Sequence, residues 1–450
     1  MIEKLRKILT SKELKERIFF TLFVLAICRI GAYIPVPGIN GEEVVKVAKF
    51  ASGGGQNLLQ LVDMFTGGAF AHMTITALGV MPYISASIIM QMLMMIVPSM
   101  TREMKESPDQ GKRKMSRNTR MLTILFAVVQ ATFFARHAIA MNLSHPGILY
   151  QSILSYELFY TPILFYALVI VTMTSGTLVL MWLGEQISEK GVGNGVSLII
   201  TLGIIASFPS MIGSITRSLN LDSQEAGELS FTSLFVLSSV FVCIVLGTIL
   251  AIQGVRKIPL QYARRNEEGT TASFIPLKIN FSGVIPVIIA NSVLMLPATV
   301  TQFMSGSELA RKLAHYLSPG SFVYMSIYVV LILFFTYIWT ANQFNPQNIV
   351  SEMKRHGAFV PGIRQGKPTE EYLDYCMNRI TLLGGIFLAV IAILPTIVGK
   401  LLSVGYTISH FFGGTSLLIL IGVVLDTTKQ IDSYLIANKY DGFMSRKVLR

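Results

Sequence analysis

The chain has 450 residues, of which 52% are hydrophobic and only 14% charged; soluble globular proteins carry about 25% charged residues. That leaves too little polar surface for a water-soluble fold, so the net charge of +12 points to membrane topology rather than to nucleic acid. Three cysteines (Cys28, Cys243, Cys376) without metal-ligand spacing read as small apolar fillers.

Taken in chain order, residues 1–17 are charged and predict an amphipathic cytoplasmic segment. The first spanning segment covers roughly 18–38, and it has no small-residue cleavage site of the kind that ends a signal peptide. Arg29, toward its outer end, is expected to snorkel or to pair with an acid outside. Next comes "LVDMFTGGAF", Leu61 to Phe70, too short to cross a bilayer. It carries Asp63 and ends in the hinge pair Gly67-Gly68, predicting a half-helix laid against the start of the second span. Further spans follow at roughly 73–98, 121–139, 158–183, 193–213, 230–254, 281–303, 321–343, 378–398 and 408–427, making ten. Their continuous apolar runs predict helices rather than a barrel, whose strands would alternate. The glycine-rich "GVGNG", Gly191 to Gly195, lacks the Lys-Ser/Thr of a phosphate loop and reads as a flexible lead-in to the fifth span.

Ten spans put both termini on one side. That side holds 29 of the Lys and Arg residues and the other holds 7, with Arg29 inside a span. The positive-inside rule makes the first side cytoplasmic.

Two words recur. "GVMPYI" (Gly79 to Ile84) matches "GVIPVI" (Gly283 to Ile288), and "SLII" (Ser197 to Ile200) matches "SLLI" (Ser416 to Ile419). Each pair lies five spans apart, an odd number, so the halves would run in opposite directions through the bilayer. The halves would be 18–213 and 230–430, joined by an external loop at 214–229 and followed by a cytoplasmic tail at 431–450.

No acidic residue lies well inside any span, although ion-coupled transporters keep Asp, Glu or His near the midplane. An Asp-rich diphosphate motif, an HExxH and a nucleophile elbow are also missing, so neither an enzyme nor a cofactor is expected. The repeats instead place Ile84, Ile200, Ile288 and Ile419 at matching points of four helices. Val80 shares a face with Ile84, and Ser292 shares one with Ile288. Such a set would either form an apolar constriction, which blocks ions by dewetting and binds no passing group directionally, or be ordinary helix packing.

Three cytoplasmic loops are longer than chain connection requires. The first, 102–120, is basic. The second, 254–280, predicts a hairpin-like protrusion with Arg256 and Lys257 before its turn and Arg264 and Arg265 after it. The third, 344–377, exposes Arg364 at a turn framed by Pro361-Gly362 and Gly366. Basic loops can serve orientation alone; their length and framing point to docking of a large anionic partner.

"RIGAYIPVPGIN", "MFTGGAF", "ALGVMPYISASIIMQ", "MWLGEQISEKGVGNG", "SGVIPVI", "PATV", "GAFVPGIR" and "FGGTSLLI", in this order, resemble the SecY family, the central subunits of the bacterial protein-conducting channel. The resemblance spans about 18–430. It implies an all-α polytopic membrane protein of ten helices in two inverted halves around a central pore. Val80, Ile84, Ile200, Ile288, Ser292 and Ile419 match the family's pore ring, and about 57–71, including Leu61, Asp63, Phe65, Gly67 and Gly68, match its plug. The lateral gate would carry Ser85, Ser87, Gln91, Asn291 and Ser292 along its seam. Arg256, Lys257, Arg264, Arg265 and Arg364 would dock the SecA ATPase or the ribosome, with SecE and SecG as small membrane partners and signal peptides and unfolded polypeptides as cargo. In "GIRQG", Gln365 stands where relatives commonly carry Pro, which should loosen the Arg364 turn. The alternative from another class is an inverted-repeat secondary transporter of small solutes.

Overall fold

The computed structural model describes residues 11–44, 63–150, 163–218, 231–262, 273–303, 312, 316–318, 320–402 and 414–448. The chain divides into two compact units, Met1–Ser218 with Met295–Pro319 and Gly422–Arg450, and Leu219–Leu294 with Gly320–Ile421.

In the first unit, α1 (Lys12–Gly31) begins in the charged segment and continues as the first apolar helix. It stops at Gly31, short of the expected 38, because Pro35 and Pro37 follow and the chain turns; Pro35 there bridges Thr74. A single helical turn at 63–66 is followed by turns through 67–80. The second spanning helix, α2 (Met81–Ile96), therefore starts eight residues later than the apolar run suggests. Gly67, Gly68 and Gly79 all have positive φ (66°, 90° and 56°), which no helix tolerates, and Pro82 then opens α2.

The basic stretch at 102–120 is helical. α3 (Pro98–Glu106) and the first turns of α4 (Pro108–Ser144) fill it, each opened by a proline. Lys114 clasps both Glu103 oxygens at 2.8 Å across the junction. α4 sets Ala127, Ala131, Ala135 and Ala138 on one face, and these small side chains let α5 (Ile163–Lys190) come close through Phe165, Val169 and Met173. Gly176 of α5 meets the Ile75 carbonyl so closely that a Cβ would overlap it. The expected fifth span is broken into α6 (Gly195–Ala206) and α7 (Phe208–Ser218), with the break at Ser207 ahead of Pro209.

In the second unit, α8 (Phe231–Gln253) leads into β1 (Val255–Tyr262) and β2 (Ser273–Lys278). α9 (Ile285–Phe303) carries the second copy of the repeat and runs across the division at Leu294. Gly283 has φ 64° just before it and Pro286 sits in its first turn, matching Gly79 and Pro82 before α2. α10 (Phe322–Gln343), α11 (Pro346–Arg355), β3 (Ala358–Phe359) and α12 (Lys367–Leu401) follow. Gly384 and Gly385 let α12 close on the Ile279 carbonyl and on Leu333 of α10. α13 (Thr415–Val448) ends the described chain and passes from the second unit into the first at Ile421 and Gly422.

Among the described residues five helices are long and apolar enough to cross a membrane, and three apolar helices, Met81–Met94, Gly195–Ala206 and Ile285–Leu294, are shorter.

Candidate functional site

The first unit holds the described end of the expected plug; Leu61 and the rest of 57–62 lie outside the described residues. Its hydrogen bonds close a compact knuckle. Gly68 N–H donates to the Asp63 carbonyl at 2.9 Å, and Ala71 N–H to Asp63 Oδ1 at 2.7 Å. Thr66 Oγ1 donates to the Asp63 carbonyl and accepts from Phe70 N–H. The knuckle rests on α6. The Phe65 carbonyl lies against Gly203, where any Cβ would overlap it, and Ser207 Oγ donates to the Met64 carbonyl at 3.4 Å. On the other side Arg29 Nη1 donates to the Gly67 carbonyl at 2.6 Å. Of the two expectations for Arg29, to snorkel or to pair with an outside acid, the described residues show neither an acid partner nor a free head group: it binds a backbone carbonyl.

Three ring candidates belong to this unit. Val80 is the residue before α2, and its carbonyl accepts from Ile84 N–H at 3.0 Å, so the two stand one turn apart; Ile200 is on α6. All three are buried. Phe65 and Thr66 of the knuckle line one cavity with Val80, Arg29, Ile199 and Gly203. The other three candidates belong to the second unit. Ile288 and Ser292 are one turn apart on α9, with Ser292 Oγ donating to the Ile288 carbonyl at 2.9 Å, and Ile419 of α13 is 1% exposed.

The gate candidates divide likewise. Ser85, Ser87 and Gln91 lie on α2, and Gln91 Nε2 donates to Ser87 Oγ at 3.2 Å. Asn291 and Ser292 lie on α9, both buried. The hydrogen bonds that Gln91 and Ser292 display run along their own helices, as side chains one turn apart allow.

The docking candidates sit on a small sheet module. β1 pairs antiparallel with β2 from Val255↔Lys278 to Leu260↔Ser273, giving the expected hairpin, and also with β3 at Gln261↔Phe359 and Tyr262↔Ala358. The second and third loops therefore fold together, which alternation within either loop could not reveal. One face of β1 turns Ile258 into a core with Leu277, Val350, Met353, Leu373 and Cys376. The opposite face presents Lys257, whose Nζ lies 4.8 Å from the centre of the Phe274 ring. Pro259 and Pro276 both occupy pairs of the Lys257↔Pro276 and Pro259↔Phe274 kind, whose backbone groups point away from the partner strand. Arg256 and Arg364 are exposed; Arg264 and Arg265 lie outside the described residues.

The Arg364 turn is tied down. Gly362 and Gly366 have φ of 82° and 100°, Thr369 Oγ1 donates to the Arg364 carbonyl at 2.7 Å, and Gln365 Nε2 donates to the Ala358 carbonyl of β3. Gln365 was expected to loosen this turn; its amide instead links the turn to the sheet, a bond proline could not make.

"GVGNG" is likewise a knot rather than a flexible lead-in. Val192 N–H donates to Thr21 Oγ1 of α1 at 3.0 Å, Gly193 N–H to Gln430 Oε1 of α13 at 2.9 Å, and Gly195 N–H to Ser188 Oγ of α5 at 2.9 Å. Asn194 caps α6. A buried loop must satisfy its N–H groups, and here the acceptors come from the preceding helix α5 and from two helices distant in sequence, α1 and α13. Sequence reasoning also missed Gly203 as a seat; a lone glycine within an apolar helix is its only signal.

A SecY family model matches residues 74–428. A protein translocase subunit SecY of Chlamydia muridarum is 56% identical over 447 residues, covering 98% of each chain. A solved structure described as showing that the plug domain of the SecY protein stabilises the closed translocation channel and maintains a membrane seal is similar with a TM-score of 0.60 at 20% identity, over 93% of this chain and 91% of that one. Sec61 in a canine ribosome-channel complex is similar with a TM-score of 0.59 at 19% identity, over 93% and 91%. The last two likenesses concern the fold. None of these findings supports the secondary-transporter alternative.

Proposed function

This chain belongs to the SecY family, and we propose that its plug and six ring residues make one seal that an entering polypeptide opens. It is a channel subunit of a protein translocase and a multi-pass membrane protein. In this reading Val80, Ile84, Ile200, Ile288, Ser292 and Ile419 form a collar around the passing chain. Branched aliphatic side chains exclude ions by dewetting and offer a polypeptide of any sequence no directional bond to stick to. Residues 57–71 stop the conduit when it is idle.

The observation that carries the reading is the shared cavity, in which Phe65 and Thr66 of the plug meet Val80 of the ring. The plug is held there by its backbone against Gly203, by the Arg29 guanidinium on the Gly67 carbonyl, and by the burial of Met64 and Phe65. A signal peptide or membrane helix enters between the gate helices, whose seam residues are Ser85, Ser87, Gln91, Asn291 and Ser292. Polar contacts across such a seam contribute about 0.6–2 kcal/mol each, few enough for an inserted apolar helix to outweigh. The same gate releases membrane helices sideways into lipid.

The charge bias of 29 to 7 supports two cytoplasmic termini and a place in the bacterial inner membrane. Arg256, Lys257, Arg264, Arg265 and Arg364 then face the cytoplasm and dock SecA or the ribosome, fixed cations suiting an acidic surface or phosphate. SecE and SecG are the small partners. The energy comes from the docked motor, and no bond chemistry is assigned to this chain.

The test is the conductance of purified channels in planar bilayers. Ile84→Gly combined with Ile288→Gly should leak ions when idle; a silent double variant overturns the collar.

A further inference from the structure

The channel reading gives Arg29 no part, yet its guanidinium touches the plug. It stands two residues before the end of α1. Nη1 donates to the Gly67 carbonyl at 2.6 Å and Nη2 to the Tyr33 hydroxyl at 3.2 Å, with Cζ 4.9 Å from the centre of the Tyr33 ring. Gly67 is the first residue after the plug's described helical turn and has φ 66°. A Cβ added to it would lie 2.8 Å from Arg29 Nη1 and 3.0 Å from the Gly203 Cα. The chain is therefore pinched between a guanidinium on α1 and bare backbone on α6. Arg29 also lines the cavity that Phe65 and Val80 share.

We propose that Arg29 is a positioning residue for the plug, a cationic latch that grips the Gly67 carbonyl and keeps the plug seated until cargo displaces it. The proposal rests on the plug reading above. Three features fit a latch better than a passive contact. A charge-assisted hydrogen bond to a carbonyl is about twice as strong as a neutral one, so one suffices. Tyr33, in the turn just past the end of α1, holds the guanidinium, so the donor stays aimed when the carbonyl leaves and can catch it on return. The bond is to backbone, so it is independent of the side chains along the plug.

A hydrogen bond from a charged donor is strong enough that its loss should raise the unseated fraction roughly 10- to 100-fold. The experiment uses the full-length chain, purified with its small membrane subunits, in planar bilayers without cargo. Arg29→Met removes the donor, and Arg29→Lys keeps a single one. Each is measured alone and with Met64→Cys and Ser207→Cys, neighbours across the seat that an oxidant can join, in a Cys28→Ala background. Idle conductance should rise strongly in Arg29→Met and less in Arg29→Lys, and the oxidised cross-link should silence both. A leak that the cross-link leaves unchanged, the signature of a merely damaged fold, overturns the latch. So does silence in both Arg29 variants when deletion of 57–71 leaks. Silence in the deletion itself sinks the plug reading instead.

Discussion

The seat of the proposed plug and the three-stranded sheet module are built on opposite principles. At the seat the polar contacts all end on backbone: the Phe65 carbonyl against Gly203, the Gly67 carbonyl under the Arg29 guanidinium, the Met64 carbonyl under Ser207 Oγ, and a glycine with no room for a side chain. In the module they are side chain to side chain, with Ile258, Leu277, Leu373 and Met377 all at most 2% exposed. Apolar burial holds in proportion to area and is lost all at once. A few directional bonds at a glycine seam hold well and release one by one. In the proposed reading, the part that must open is sewn with bonds, whereas the part that would stay rigid under a docked partner is packed.

Four substitutions can break or sharpen that contrast, the largest effect first. Leu373→Ala should destabilise the module by about 2–5 kcal/mol through the cavity it leaves, read as faster proteolysis of the two loops that build it with idle conductance unchanged. A leak in that variant would break the contrast, since packing would then hold the seal. Arg364→Glu should slow motor-driven translocation about tenfold, equivalent to roughly 1.4 kcal/mol, with protease resistance of the module kept; a matching fall in resistance would make Arg364 structural. Thr21→Val strips the acceptor from Val192 N–H and should cost about 1 kcal/mol or somewhat more, seen as a lower melting temperature in detergent. Lys257→Ala should cost no more than about 1 kcal/mol, because its contact with Phe274 is exposed; measurable weakening of partner binding without a melting shift would assign the residue to recognition.

What could be read from the residues followed their periods. Long apolar runs announced the spanning helices, and the basic pairs on either side of a turn, Arg256-Lys257 and Arg264-Arg265, announced the hairpin, because both signals are local. The paired words around Gly79 and Gly283 proved to share a positive-φ turn ahead of a proline-opened helix. Three features escaped because their partners are remote. Gln430 reaches Gly193 from the last helix, Ala358 joins β1 from another loop, and Arg29 finds a carbonyl rather than an acid. A carbonyl has no letter in the sequence, so a side chain that binds one looks unpaired until the fold is known. The late start of α2 escaped for a different reason: hydropathy sees Ala69–Val80 as membrane-ready, and only the backbone angles at its glycines refuse the helix.

The two prolines of the hairpin bear on what this protein handles. In the proposed reading its cargo passes as extended, unfolded chain, the form that adds itself to any open row of amide groups. Pro276 sits midway along β2, and Pro259 lies on the flank of β1 that β3 leaves uncovered. Each strand thus lacks a donor where a stray segment would begin to zip on. A ribbon of sheet built this way would stay unfouled by sticky polymer passing near it.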